Sequence, residues 1–143
     1  KEKERVIIWT AAAAALYCCE LITVTLTPLA KIGNGTRFGS SGMFYNLIMC
    51  GGSYMVPLIF YCLNIRLMKY IIACVNALWL ICHPVIAVIC FTAAFTTASG
   101  MAEYLSCIIA GGMAVFSFAV SVLWYPIAGR KSEFVFIEQT RIL

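Results

Sequence analysis

Four apolar stretches, each close to the length that crosses a lipid bilayer as a helix, constrain this chain more than any other feature. A helix needs about 20 consecutive, mainly apolar residues to span a bilayer. Of the 143 residues, 63% are hydrophobic and 11% are charged, and the mean hydropathy is +0.95. Average globular chains carry roughly a quarter charged residues. The sequence therefore excludes an ordinary soluble domain and predicts an all-α integral membrane protein.

The polar breaks between these stretches predict a single four-span transmembrane domain over residues 1–143. The predicted spans are about 6–29, 43–65, 67–97 and 104–128, followed by a cytoplasmic tail at 129–143. The link between the second and third spans is so short that these spans should form an antiparallel hairpin. We therefore expect a four-helix transmembrane bundle. Because the sequence begins at Lys1 without Met, we also expect it to be trimmed from a longer protein.

The basic residues predict the orientation of the bundle, because cytoplasmic flanks retain Lys and Arg. Eight of the ten fall on one side of the predicted spans: Lys1, Lys3, Arg5, Arg66, Lys69, Arg130, Lys131 and Arg141. Lys31 and Arg37 lie on the other side. Both termini should therefore face the cytoplasm. Basic side chains beside apolar spans contact lipid headgroups, so the net charge of +4 does not indicate a nucleic-acid partner.

An independent signal agrees with this orientation. Residues Asn34-Gly35-Thr36 form an N-glycosylation sequon, and they lie in the loop that the charge rule places outside. Asn34 is therefore a candidate glycosylation site, and the expected compartment is the plasma membrane or a secretory-pathway vesicle.

Glu20 and His83 are the ionisable residues that stand out within the spans, where an unpaired charge costs at least a few kcal/mol. At a rise of about 1.5 Å per residue, Glu20 lies about 21 Å from Val6 and His83 about 24 Å from Leu67. Both spans start on the cytoplasmic side, so the two side chains reach similar depth and a contact between them is geometrically possible. The pair would form either a proton or ligand site, or a buried polar pair that fixes helix register. We favour the structural interpretation, because a proton relay would show a series of such groups.

Two prolines predict kinks inside spans. Pro57 lies in the second span and Pro84 follows His83 in the third, and each removes one helical hydrogen bond. Small residues elsewhere permit helices to approach closely. The glycines predicted to serve this packing are Gly51, Gly52, Gly111 and Gly112.

All eight cysteines fall within predicted spans, which argues against a disulfide-stapled ectodomain. Cys62 and Cys74 lie near the cytoplasmic face and are candidates for palmitoylation. The competing interpretation is that they are small apolar packing residues.

Catalytic chemistry lacks its usual parts in this sequence. The chain has one His and no Asp, and it contains no GxSxG, HExxH or P-loop motif. Most hydrolytic and metal-dependent reactions need such groups. We therefore predict that the protein is not an enzyme and that it uses neither a cofactor nor a metal.

Several segments together resemble the MARVEL family of four-span proteins. The resemblance rests on the cytoplasmic termini, the tight second turn, and residues 75–81, 91–95, Cys107, Ala110, 114–119 and Trp124. It implies a non-enzymatic role in membrane apposition, vesicle trafficking, or the organisation of junctions and lipid domains.

The leading functional hypothesis is a tetraspan membrane scaffold that organises a membrane complex, junction or trafficking domain through lateral helix packing. Its expected partners are membrane lipids and either another integral membrane protein or further copies of itself. The alternative is an auxiliary subunit or oligomeric component of a channel or transporter, with Glu20 and His83 near the functional site.

Overall fold

The computed structural model describes residues 2–31 and 36–129, which form helices and no strand. The long helices are α1 (Glu2–Thr25), α2 (Ser41–Cys62), α3 (Met68–Thr96) and α4 (Met101–Gly129). A short 3-10 turn, Pro28–Lys31, follows α1. Each long helix is long and apolar enough to cross a membrane. The prediction of four helical spans is therefore confirmed at the level of helix number, length and apolarity.

The four helices pack as a ring in chain order. Helix α1 packs against α2 and α4, and α3 packs against α2 and α4, while α1 and α3 meet across the diagonal in a smaller contact. We call the end that holds Glu2 and the α2–α3 turn the first end. The end that holds the 3-10 turn and the α3–α4 link is the second end. The short α2–α3 and α3–α4 connections favour this up-and-down arrangement.

The apolar core is divided into three layers along the bundle. At the first end, Val6, Ile72 and Trp124 are buried together with Leu58. The middle layer contains Ala13, Ala14, Tyr17, Cys50, Tyr54 and Val120. The layer at the second end is small and contains Ala93, Ala94 and Cys107. Small side chains dominate the second end, so the helices can approach closely there.

The α2–α3 turn is fixed by its own backbone hydrogen bonds. Asn64 has a positive φ of 71°, and its N–H donates to the carbonyl of Tyr61, while the N–H of Ile65 donates to that of Phe60. This is the Schellman arrangement, which satisfies the last carbonyls of a helix and tolerates Asn in the left-handed conformation. The tight link predicted from the sequence is therefore built by a helix stop at Asn64.

The helix boundaries differ from the predicted spans mainly in α1. The charged residues from Glu2 to Arg5 form the first turns of α1 itself, and α1 ends at Thr25 before Pro28. Nζ of Lys69 lies 2.6 Å from Oε1 of Glu2 at the first end. Glu2 at the start of α1 and Lys69 at the start of α3 therefore form an ion pair. Asn34 and the tail from residue 130 lie outside the described residues.

Candidate functional site

Glu20 and His83 are hydrogen-bonded to each other inside the bundle. The Nδ1 atom of His83 lies 2.7 Å from Oε2 of Glu20, and the two side chains are 1% and 0% exposed. The contact joins α1 to α3 across the diagonal of the bundle, and the similar depth estimated for the two residues from the sequence is compatible with it. An ion pair or hydrogen bond at this burial is costly to break, because a stranded buried polar group is left without water.

Tyr17 lies about one helical turn from Glu20 toward the first end, and its ring packs against His83 of the pair. Its ring packs edge-on against His83, with centroids 4.9 Å apart, and against Trp79 at 5.0 Å. These three rings bring α1 and α3 together at mid-depth. Such aromatic contacts add to the burial energy of the side chains, so the pair sits in a closely packed setting.

A second polar cluster lies nearer the first end and joins three helices. The Tyr54 hydroxyl donates to Oδ1 of Asn76 at 3.2 Å, and Nδ2 of Asn76 donates to the Ser121 carbonyl at 2.9 Å. Asn76 is fully buried. One turn further along, Nε1 of Trp124 donates to Oγ1 of Thr10 at 3.0 Å and joins α4 to α1.

Sequence reasoning missed this second cluster. Asn76 is an amide inside an apolar span, and the argument that singled out Glu20 could have found it, because buried polar groups need partners. Tyr54, Thr10 and Ser121 carry no comparable signal, since hydroxyl groups are common in transmembrane helices.

Among the residues that the structure describes, two buried side-chain oxygens in the centre of the bundle have no hydrogen-bond partner. They are Oε1 of Glu20 and Oγ of Ser117 on α4. Ser117 is 1% exposed. In the Glu20 carboxyl group, Oε2 thus contacts His83, and Oε1 has no partner among the described residues.

The four predicted packing glycines have different surroundings. Gly111 is buried against α3, and a Cβ atom placed on it would lie 2.8 Å from the ring of Phe91. Gly51 faces Cys18 at an ordinary distance of 3.9 Å from such a Cβ, whereas Gly52 and Gly112 face open space. Of these four glycines, Gly111 is therefore the one whose surroundings leave no room for a Cβ atom beside Phe91.

The remaining predicted sites have simpler positions. Pro57 is buried inside α2, and Pro84 lies inside α3 on its exposed side. Cys62 and Cys74 are exposed free thiols near the first end, and their palmitoylation stays a prediction. Within the described ranges, no three His, Cys, Asp or Glu side chains are grouped so as to hold a metal ion.

Comparison with known proteins places the chain in a family. The model of a family of unknown function, DUF5391, matches residues 1–133. The chain belongs to the DUF5391 family. A similar member of the curated proteins is "Uncharacterized protein YxaJ" of Bacillus subtilis strain 168, which is 28% identical over 131 residues and covers 91% of each chain. No solved structure matches the chain. The MARVEL resemblance stays a prediction, and the family shown for these four helices is DUF5391.

Proposed function

We propose that this DUF5391 protein is a non-enzymatic membrane scaffold that organises a complex through lateral helix packing. The observation that carries the proposal is the outward face of α1. Ala11, Ala15 and Cys19 recur every four residues and are all exposed. Such a small-residue stripe lets a second transmembrane helix approach closely enough for extensive van der Waals contact.

The outward faces of the other helices differ from this stripe. They carry large apolar side chains, such as Ile48 on α2, Val88 on α3 and Phe116 on α4, which are 71%, 65% and 56% exposed. Large flexible side chains suit contact with lipid chains. The stripe on α1 brings three small exposed residues together, so we propose that a neighbouring protein contacts this helix.

A second copy of the chain is the partner we favour for this face. A two-fold axis beside α1 places the same stripe on both subunits, so the interface is self-complementary. Cys19 would then lie close to Cys19 of the other copy. Another membrane protein with a small-residue helix would satisfy the same face.

Oxidative cross-linking of native membranes tests this proposal. Mild oxidation is expected to produce a disulfide-linked dimer through Cys19, since this thiol is exposed on the stripe. The dimer should disappear in Cys19→Ser and persist in Cys74→Ser, which removes an exposed thiol from α3. Ala15→Leu should also abolish it by separating the helices.

Two results would contradict self-association through the α1 stripe. One is a dimer that survives Cys19→Ser. The other is a monomer in mild detergent that copurifies with a different membrane protein in fixed ratio, which would favour the auxiliary-subunit alternative.

The distribution of basic residues supports an orientation with both termini in the cytoplasm. Lys3, Arg5, Arg66 and Lys69 lie at the first end, and Lys31 and Arg37 lie at the second. Cytoplasmic flanks carry the excess of Lys and Arg.

Thiol labelling tests this orientation in a variant that lacks the native cysteines. Ser40→Cys at the second end should react with a membrane-impermeant maleimide in intact cells, whereas Leu67→Cys in the α2–α3 turn should react only after permeabilisation. The reverse pattern would show that the first end faces outward. Labelling of both sites in permeabilised cells is the control for accessibility.

The non-enzymatic part of the proposal is supported by the state of the single histidine. His83 is 1% exposed and its Nδ1 is held by Glu20. A general base must reach its substrate within hydrogen-bonding distance. Ring atoms packed against Tyr17 inside the bundle are poorly placed for this.

A component of a channel or transporter is the second candidate function. It is favoured by the buried polar groups at several depths, from Thr10 through Asn76 to Glu20. A series of polar groups along the interior is what a proton pathway requires, because buried charges and protons need partners at each step. The Glu20→Gln experiment described in the Discussion separates this candidate from the scaffold.

A further inference from the structure

The two unpartnered oxygens in the bundle centre lie at neighbouring depths. The Trp124–Thr10 hydrogen bond fixes the relative height of α1 and α4. Glu20 follows Thr10 by ten residues, and Ala114 precedes Trp124 by ten residues. Because α1 and α4 are antiparallel, Glu20 and Ala114 lie at the same depth. The Asn76–Ser121 contact fixes the relative height of α3 and α4. His83 follows Asn76 by seven residues and Ala114 precedes Ser121 by seven residues, so His83 also lies at the depth of Ala114.

Ser117 is three residues from Ala114, and therefore about 4.5 Å away along the axis at the usual helical rise. The directions of the side chains reduce this separation. In a helix each Cα–Cβ bond tilts toward the amino terminus. Glu20 consequently leans toward the first end, and Ser117, on an antiparallel helix, leans toward the second end.

We propose that a single resident water molecule bridges Oε1 of Glu20 and Oγ of Ser117. The two oxygens are buried and make no hydrogen bond to each other or to any other described group. A buried water needs at least two polar partners, and buried polar groups without protein partners are commonly satisfied in this way. Ala114, which lies level with Glu20, is buried and has a small side chain.

The proposed water changes what the Glu20–His83 pair can do. It gives the carboxylate a hydrogen-bond donor on its free oxygen and links α4 to the diagonal contact between α1 and α3. The result is a three-helix polar centre of Glu20, His83 and Ser117. This inference does not depend on association through α1.

Infrared difference spectroscopy of the full-length protein in lipid nanodiscs tests the proposal. A bound-water O–H band that shifts when H₂¹⁸O replaces H₂¹⁶O is expected in the wild-type protein. The band should be lost in Ser117→Ala and should shift in frequency in Glu20→Gln, because an amide replaces the carboxylate as the partner of the water. It should persist in Ser117→Thr, which keeps the hydroxyl, and in Ser121→Ala, a matched serine that is equally buried one turn away.

A double-mutant cycle on the unfolding equilibrium provides a second measurement. If water couples the two groups, the effect of Ser117→Ala on the unfolding constant should differ at least about twofold between the wild-type and Glu20→Gln backgrounds. Independent effects, or a water band that is unchanged in both single substitutions, would overturn the proposal. A wild-type spectrum without an ¹⁸O-sensitive band would overturn it equally.

Discussion

Glu20→Leu is expected to lower the free energy of unfolding by roughly 1–3 kcal/mol, because it leaves Nδ1 of buried His83 without its partner. Glu20→Gln keeps the shape and a hydrogen-bonding oxygen, so it should be tolerated. Denaturation of the purified protein in detergent or bicelles measures both effects. Equal tolerance of Leu and Gln would show that the 2.7 Å contact with His83 contributes nothing to stability.

The double variant Glu20→Leu/His83→Leu is the matched control. Replacing both partners of a buried polar pair by apolar residues is often close to neutral, whereas removing one partner is costly. The double variant should therefore be more stable than Glu20→Leu alone. The same Gln variant discriminates between functions: if it folds normally but loses a pH-dependent flux that the wild type shows in liposomes, the scaffold proposal fails and the transport alternative gains.

Gly111→Leu should destabilise the bundle by roughly 1–3 kcal/mol or more, as overpacking of a filled interior does. The reason is local, since even a Cβ at this position would lie 2.8 Å from the ring of Phe91. Gly112→Leu is the matched control, because its Cβ meets no atom within 4 Å. It should not lower stability, because Gly in a helix interior is roughly 1 kcal/mol less favourable than a good helix former such as Leu.

The comparison of these neighbours separates contact from helix propensity, since both substitutions replace Gly by Leu in the same helix. Thermal unfolding in the same detergent gives the difference directly. A second variant, Gly111→Ala/Phe91→Leu, should recover part of the stability lost in Gly111→Ala. Similar losses at Gly111 and Gly112 would mean that the α3–α4 contact near Phe91 is not tight.

The sequence was informative about depth and weak about rotation. Hydropathy and the helical rise were sufficient to place four helices and to bring Glu20 level with His83. They could not distinguish Gly111 from Gly112, which point about 100° apart on one helix. Apolar residues surround each helix on every side, so periodicity carries little information about which face is inside.

The missed polar residues have the same explanation. Ser117 and Thr10 are fully buried. The sequence does not reveal this, because a hydroxyl group in an apolar helix can bond to its own helix backbone and so occurs on either face at little cost in free energy. Asn76 could have been identified by its amide. Its partners Tyr54 and the Ser121 carbonyl could not, because they depend on how α2, α3 and α4 are rotated against one another.

The diagonal Glu20–His83 contact also limits how α1 can turn about its own axis. Cys19 faces outward and Glu20, the next residue, faces inward. Neighbouring residues differ by about 100° around a helix. Rotation of α1 about its axis would therefore move the carboxylate of Glu20 away from the imidazole of His83, and it would also change the direction in which the small-residue stripe faces. The interior hydrogen bond thus restricts rotation of α1 about its own axis and keeps the small-residue stripe facing outward.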